Sequence, residues 1–287
     1  EAATMVGYQG QVDGVITSGY MTQPYRLSGD LWTSGPRTRV IMNDDIYVPE
    51  GKKIYIKPWS YISLENCTID KLPETQGMWE GVQVWGQAGQ PQDYQNQGAL
   101  YMNNASIKNA IVAVDLWKPW QYDQTGGILS AYNSSFINNA KGLRIEEYQN
   151  HDPMTGFPMD YKAYLRNCTF EINHDFIGTE TFYEHVKLVH VQGVRFDGCK
   201  FKLENPNNHV VSWAKGILAF DANFSLDSYD AYGNLIGQSE VNGFFMGIHA
   251  VHDFDAVTKP FTVFNTDFMG NDCGIFARQV GSPTVVN

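Results

Sequence analysis

Residues 66–69 read NCTI, 104–107 NASI, 133–136 NSSF, 167–170 NCTF and 265–268 NTDF, and 198–201 keep the shape as GCKF. The spacings between successive segments are 38, 29, 34, 31 and 67 residues, so one coil with a degenerate motif is expected inside the last interval. In an extended strand side chains alternate faces. Positions two and four of each segment therefore share one face: Cys67 with Ile69, Ala105 with Ile107, Ser134 with Phe136, Cys168 with Phe170, Cys199 with Phe201, Thr266 with Phe268. Each pair is small then large, which suits a buried face. The residues between them (Thr68, Ser106, Ser135, Thr169, Lys200, Asp267) are polar and should face water.

A repeat of about thirty residues built from short strands describes a solenoid, in which no coil buries its apolar face alone and stacking supplies the core. A second element carries a Gly and then an alternating strand: WEGVQVWG from 79, AKGLRIEEY from 140, VQGVRFDG from 191, AKGILAFDA from 214, FMGIHAVHD from 245 and DCGIFARQ from 272. The glycines are expected at a corner, where the backbone must turn with positive φ or approach a neighbour closely. The fold class that follows is all-β, a right-handed parallel β-helix of roughly 30-residue coils. Residues 1–37 lack the motif and read as an N-terminal lead-in or cap. Residues 38–287 read as the β-helix, ending as if cut from a longer protein.

Stacking puts like residues of successive coils roughly 4.8 Å apart. Phe136, Phe170 and Phe201 should form an interior ring stack, and the leading Asn residues an amide ladder at one corner. Cys168 and Cys199 should be inside neighbours; they read as buried thiols acting as small hydrophobes, with a disulfide as the alternative. The long non-repeating stretches 87–97, 115–127, 149–161 and 221–238 are expected as insertions gathered on one side, where solenoids carry function.

Composition narrows the function classes. The 287 residues include 31 acidic and 20 basic side chains, a formal net charge of −11, with no Lys/Arg run. Nucleic acid is thereby a poor partner. No stretch approaches the roughly 20 apolar residues of a spanning helix, so membrane insertion through a helix is not expected. Nothing in the sequence sets an oligomeric state.

The stretches MWEGVQVWG (78–86), QGALYMNNASIKNA (97–110), GGILSAYNSSFINNA (126–140), YLRNCTFEIN (164–173) and GVRFDGCKF (193–201) resemble a group of Bacteroidetes surface and secreted proteins. Those proteins have parallel β-helix regions of the pectate-lyase-like kind and often a C-terminal type IX secretion sorting domain. The resemblance spans about residues 38–280 and implies export to the outer surface or medium. It implies little about chemistry.

The fold hosts enzymes that cleave acidic polysaccharides, and the chain carries a few groups of the kind such chemistry uses. Asp267 sits in an NTD triplet like one piece of the polygalacturonase pattern, whose other pieces are missing; NTDF is also this chain's own corner motif. HAVHDFD (249–255) offers His249, His252, Asp253 and Asp255 as weak metal ligands, with Ca2+ the cation a lyase would call for, though alternation puts His249 and Asp253 on one face and His252 on the other. If the chain is an enzyme, Asp253, Asp267, Asp272 and Arg278 are its candidate groups. His174, Asp175 and His185 are weaker still. The loop DLWKPWQYD (115–123) offers Trp117, Trp120 and Tyr122 for stacking on sugars or docking a protein, against a plainer role as an outer aromatic cluster. The preferred expectation is a non-enzymatic extracellular module, adhesin-like, binding glycan or a surface protein without a cofactor. The alternative is a polysaccharide lyase or glycoside hydrolase. The two differ in whether a groove gathers two carboxylates, or a carboxylate and a base, with perturbed pKa values.

Overall fold

A computed structural model describes residues 8–12, 15–17, 24–33, 38–204, 210–252 and 259–286. Among them every regular element is a β-strand, and the strands wind into a right-handed parallel β-helix with three faces. One coil shows the pattern. Tyr61–Glu65 runs along the first face, the chain turns at Asn66, Thr68–Lys71 runs along the second, and Trp79–Val84 along the third. Each face strand between the ends of the rod pairs in parallel with counterparts in neighbouring coils, as Ala99–Asn103 pairs with both Tyr61–Glu65 and Ile128–Tyr132. Among the described residues the first face has ten such strands, ending with Ala163–Arg166, Val194–Asp197, Phe224–Asp227, Thr262–Phe264 and Thr284–Val286. Parallel pairing already includes Tyr8–Val12 with Tyr25–Thr33, and Val15–Thr17 with Arg39–Met42.

The alternation read from the six corner segments holds in three dimensions. Ten of the twelve paired positions, from Cys67 and Ile69 to Cys199 and Phe201, are buried, as is Thr266, with Phe268 partly so. Phe136 and Phe170 stack with ring centroids 4.5 Å apart, and Phe170 and Phe201 at 4.9 Å. Burial of each ring contributes about 1.5–3 kcal/mol, and the contact between rings about 0.5–1.5 kcal/mol more. All four cysteines are free. Burial pushes the Cys67 thiol up to about 12, so it stays a neutral S–H, directed at the Met42 carbonyl 3.4 Å away.

The corner explains why Asn recurs. Asn66, Asn104, Asn133, Asn167 and Asn265 all have φ between 45° and 53°, and Gly198 has φ 65°. That left-handed conformation costs an ordinary L-residue about 1–2 kcal/mol and is tolerated by Gly and Asn. Each corner N–H donates to a carbonyl of the next coil, as Asn66 to Asn103 and Asn133 to Arg166, both 2.9 Å. The side-chain ladder joins coils in pairs, Asn104 donating to Asn66 at 3.2 Å and Asn167 to Asn133 at 2.8 Å.

The degenerate coil lies where the doubled spacing put it, with strands Phe224–Asp227, Ser239–Asn242 and Met246–Val251. Its corner is an insertion, residues 228–238. Hydroxyls replace the Asn there: Ser239 N–H donates to Ser228 Oγ at 2.8 Å, and Ser239 Oγ donates to the Asp227 carbonyl at 2.6 Å.

The reasons expected for the glycines hold, a positive φ at Gly81 (104°) and close approach at Gly142, Gly216 and Gly247, but their placement at a corner needs correction, since Gly81 too lies inside a third-face strand. Gly142, Gly216, Gly247 and Gly274 lie inside third-face strands and show no positive φ. Gly142 is small because a Cβ there would sit 2.4 Å from Cδ1 of Phe170. VQGVRFDG belongs to another face altogether: Gly193 (φ 80°) precedes the first-face strand Val194–Asp197.

Candidate functional site

Three of the four long insertions, 87–97, 115–127 and 149–161, leave the rod at one corner, between the third face and the first. The fourth is confined to residues 228–238, at the corner between the first face and the second. This arrangement leaves a trough on the outer surface of the first face, walled on one side by the insertions.

The strand period places the residues on that surface. Counting three back from each corner residue gives Ser63, Tyr101, Ser130, Tyr164 and Arg195, which pair in register along the axis. Counting one back gives Glu65, Asn103, Tyr132, Arg166 and Asp197. A groove of about 670 Å3 runs over this surface, lined among others by Tyr94, Tyr101, Ser130, Asp160, Lys162, Tyr164 and Arg195, with Pro158 and Met159 on one wall. A depression of about 370 Å3 continues it past Tyr94 and Tyr101 to Tyr61, Ser63, Glu65 and Ile41. Six successive strands contribute, a length of about 24 Å at the usual strand spacing.

The wall is built before any ligand arrives. Gln92, buried in the first insertion, accepts from Lys162 N–H at 2.5 Å and donates to the carbonyls of Gly126 and Gly127 at 3.1 Å. Asn150, buried in the third, accepts from Gln92 N–H at 2.9 Å and donates to the Asp160 carbonyl at 2.7 Å. Gln97 closes the first insertion on itself, accepting from Gln87 N–H at 2.6 Å. Buried amides with all these partners make a rigid wall rather than a loose loop.

At one end of the groove Tyr164, Arg195 and Asp197 form a set. The Tyr164 hydroxyl donates to Asp197 Oδ2 at 2.7 Å, and Arg195 Nη2 donates to the same oxygen at 2.9 Å. The Arg195 guanidinium lies 5.3 Å over the Tyr164 ring. Burial raises the Asp197 carboxyl above the usual range, opposed by the Tyr164 hydrogen bond and the Arg195 charge. Burial and the Asp197 hydrogen bond also push the Tyr164 phenol up, so it remains a donor. The Asp197 side chain is 0% exposed and Arg195 33% exposed, so the groove meets the guanidinium and the ring while the carboxylate lies beneath them.

The residues singled out from sequence fall elsewhere. Trp117 and Lys118 pair with Gln121–Thr125 as a two-stranded antiparallel hairpin, with Trp120 at its turn (φ 68°). Trp117 is 3% exposed, packed under Arg144 and against Tyr122, while Trp120 is 85% and Tyr122 63% exposed. None of the three lines the groove. Asp267 is exposed on the second face beside Glu240, Asp272 is exposed at the next corner, and Arg278 ends a third-face strand. These three do not converge on one cleft. Asp253 and Asp255 lie outside the described residues. His252 meets a carboxylate, but that of Asp221 on the preceding coil rather than one of its own strand. Among the described residues no group of three or more His, Cys, Asp or Glu side chains is arranged to hold a metal ion.

Asp221 belongs to a column the sequence reading missed. Two residues past the register-matched Ile145, Leu188, Ala219 and Ala250 stand Glu147, His190, Asp221 and His252, one per coil. His190 Nε2 lies 3.3 Å from Asp221 Oδ2 and its Nδ1 3.4 Å from Glu147 Oε2.

No family model matches the sequence, and no curated protein matches it. Two solved structures align with it, both of the periplasmic alginate epimerase AlgG, one of them a double mutant. They are 9% and 8% identical to this chain, cover 92% of it and 75% of their own chain, and give a TM-score of 0.33. A likeness that loose carries no argument about function. No helix among the described residues is long and apolar enough to cross a membrane, which says nothing about strands.

Proposed function

We propose that the chain is a non-enzymatic polysaccharide-binding module of an exported, surface or secreted protein, and that the glycan lies along the first-face groove. The carrying observation is the row Tyr101, Ser130, Tyr164, Arg195 on consecutive coils, facing an open groove beside a rigid wall. Aromatic rings offer apolar faces to sugar C–H surfaces, and serine, arginine and lysine offer hydrogen bonds to hydroxyls and acidic groups. The trough is long and open rather than a closed pocket, which suits a polymer. A repeat of one coil every ~4.8 Å is close to the length of one sugar residue in an extended chain.

Polysaccharide cleavage is the second reading, and one observation favours it. Asp197 and Asp227 are register partners on adjacent coils, and the Asp197 carboxyl is raised. Against it, Asp197 is covered by its own partners, so it could give or take a proton at a glycosidic oxygen only if Tyr164 and Arg195 moved away. Binding without cleavage fits the groove better.

The test is calorimetric titration with a panel of neutral and acidic polysaccharides, paired with an assay for reducing-end release. Tyr101→Ala and Arg195→Ala should each weaken binding of the preferred polymer about tenfold, the factor expected for ~1.4 kcal/mol. Trp120→Ala should leave it unchanged. Release of product by the parent, abolished in Asp197→Asn, would replace binding by catalysis. Unaltered affinity in both groove variants would remove the groove from the account.

A further inference from the structure

Across the ridge of Pro158 and Met159 from the groove lies a second cleft of about 510 Å3, and those two residues line both. Its polar lining is His151, His190, Lys259, Gln149, Asn150 and Gln192. In a chain of net charge −11, no Asp or Glu is among the described residues that line this cleft. Three groups able to carry positive charge gather there instead.

The cleft is held in shape from beneath. Asn150 is fixed by Gln92 and the Asp160 carbonyl, so its amide is already committed. His190 is fixed between Asp221, buried, and Glu147, exposed, with His252 on the far side of Asp221. Both nitrogens of His190 thus face carboxylates. It is a positioning residue that forms the floor, and the groups left to meet a ligand are His151, Lys259 and the exposed amides of Gln149 and Gln192.

We propose that this cleft is an anion subsite of the same binding surface. It receives a carboxylate or sulfate group borne by the glycan that lies in the groove, with Lys259 and His151 as charge partners and the two glutamine amides as further donors. The inference rests on the groove reading and adds the class of glycan: one with acidic substituents. Asp152 stands beside His151 and Glu147 beside His190, so the cleft is not one of bare positive charge; an acidic occupant nonetheless gains charge-assisted hydrogen bonds from Lys259 and His151, which are roughly twice as strong as the neutral ones open to an uncharged glycan.

The experiment titrates the full chain with polygalacturonate, dextran sulfate and unmodified dextran at low and high salt, with unfolding midpoints confirming that each variant is folded. The parent should bind at least one anionic polymer about tenfold more tightly than dextran, a difference that shrinks as salt screens the charges. Preference for polygalacturonate assigns the subsite to carboxylate, and preference for dextran sulfate to sulfate. In the double variant His151→Gln/Lys259→Met the ratio of anionic to neutral affinity should fall toward one, while Tyr101→Ala weakens all binding and preserves the ratio. Equal affinity of the parent for dextran and both anionic polymers, or an unchanged ratio in the double variant, overturns the subsite and leaves the groove standing. Absence of binding to all three polymers overturns both.

Discussion

His185 has its ring inside the rod, between Phe170, Phe182 and Phe244 at centroid distances of 6.0, 4.8 and 5.6 Å, and its Nε2 lies 3.0 Å from the Lys202 carbonyl. Burial lowers its pKa from the ordinary 6.5 to about 4. The folded state therefore prefers the neutral ring, while the unfolded chain takes up a proton below 6.5. Stability from this residue is complete above 6.5, is lost as pH falls toward 4, and changes no further below that. The loss is about 3 kcal/mol by linkage. His185→Gln keeps a donor for the Lys202 carbonyl and cannot titrate. Denaturant unfolding at about pH 7.5 and about pH 4 should show that much less acid sensitivity in the variant; equal sensitivity would mean that the ring is not sealed. From sequence His185 was one more isolated histidine, because only the fold puts three phenylalanines around it. Tyr101, Tyr164 and Arg195 are a different case. Each stands three residues before a corner residue already identified, so period-two alternation applied backwards from Asn104, Asn167 and Gly198 would have found the column.

Among the elements, the corner turn was the most legible, because one backbone requirement selects one residue type over and over. The left-handed φ explains both the recurrent Asn and the Gly that replaces it at 198. The glycines of the third face were misplaced at a corner for a related reason: Gly signals either positive φ, as at Gly81, or lack of room, and sequence does not say which. At Gly142 the cause is room. Gly142→Ala should cost about 1–3 kcal/mol by overpacking against Phe170. Phe170→Leu, which removes the crowding ring edge, should absorb part of that cost in the double variant. A double-mutant cycle by denaturant unfolding would reveal the coupling, and strict additivity would show that the two residues do not compete for space. The Glu147–His190–Asp221–His252 column stayed hidden because its members alternate in residue type and belong to no repeated motif, although the last three are evenly spaced by 31 residues. Only the pairing of Ile145, Leu188, Ala219 and Ala250 aligns it. The Trp117–Tyr122 loop drew notice for its aromatics, but its inner half is spent on packing: Trp117 shields the Arg144–Asp115 ion pair.

For the whole molecule, the repeat determined architecture while the insertions determined the site. Stacked coils supply a rigid axis and a regular outer face; unequal loops at one corner convert that face into a groove with a second cleft behind its wall. The measurement that most directly tests this is hydrogen exchange of the full chain with and without saturating polysaccharide. Slowed exchange is expected in Ala99–Asn103, Ala163–Arg166 and Val194–Asp197 and in the wall around residues 92–97 and 158–162, with the Gln121–Thr125 strand unchanged. Protection confined to the hairpin that carries Trp120 and Tyr122, with the first-face strands exchanging as before, would contradict it.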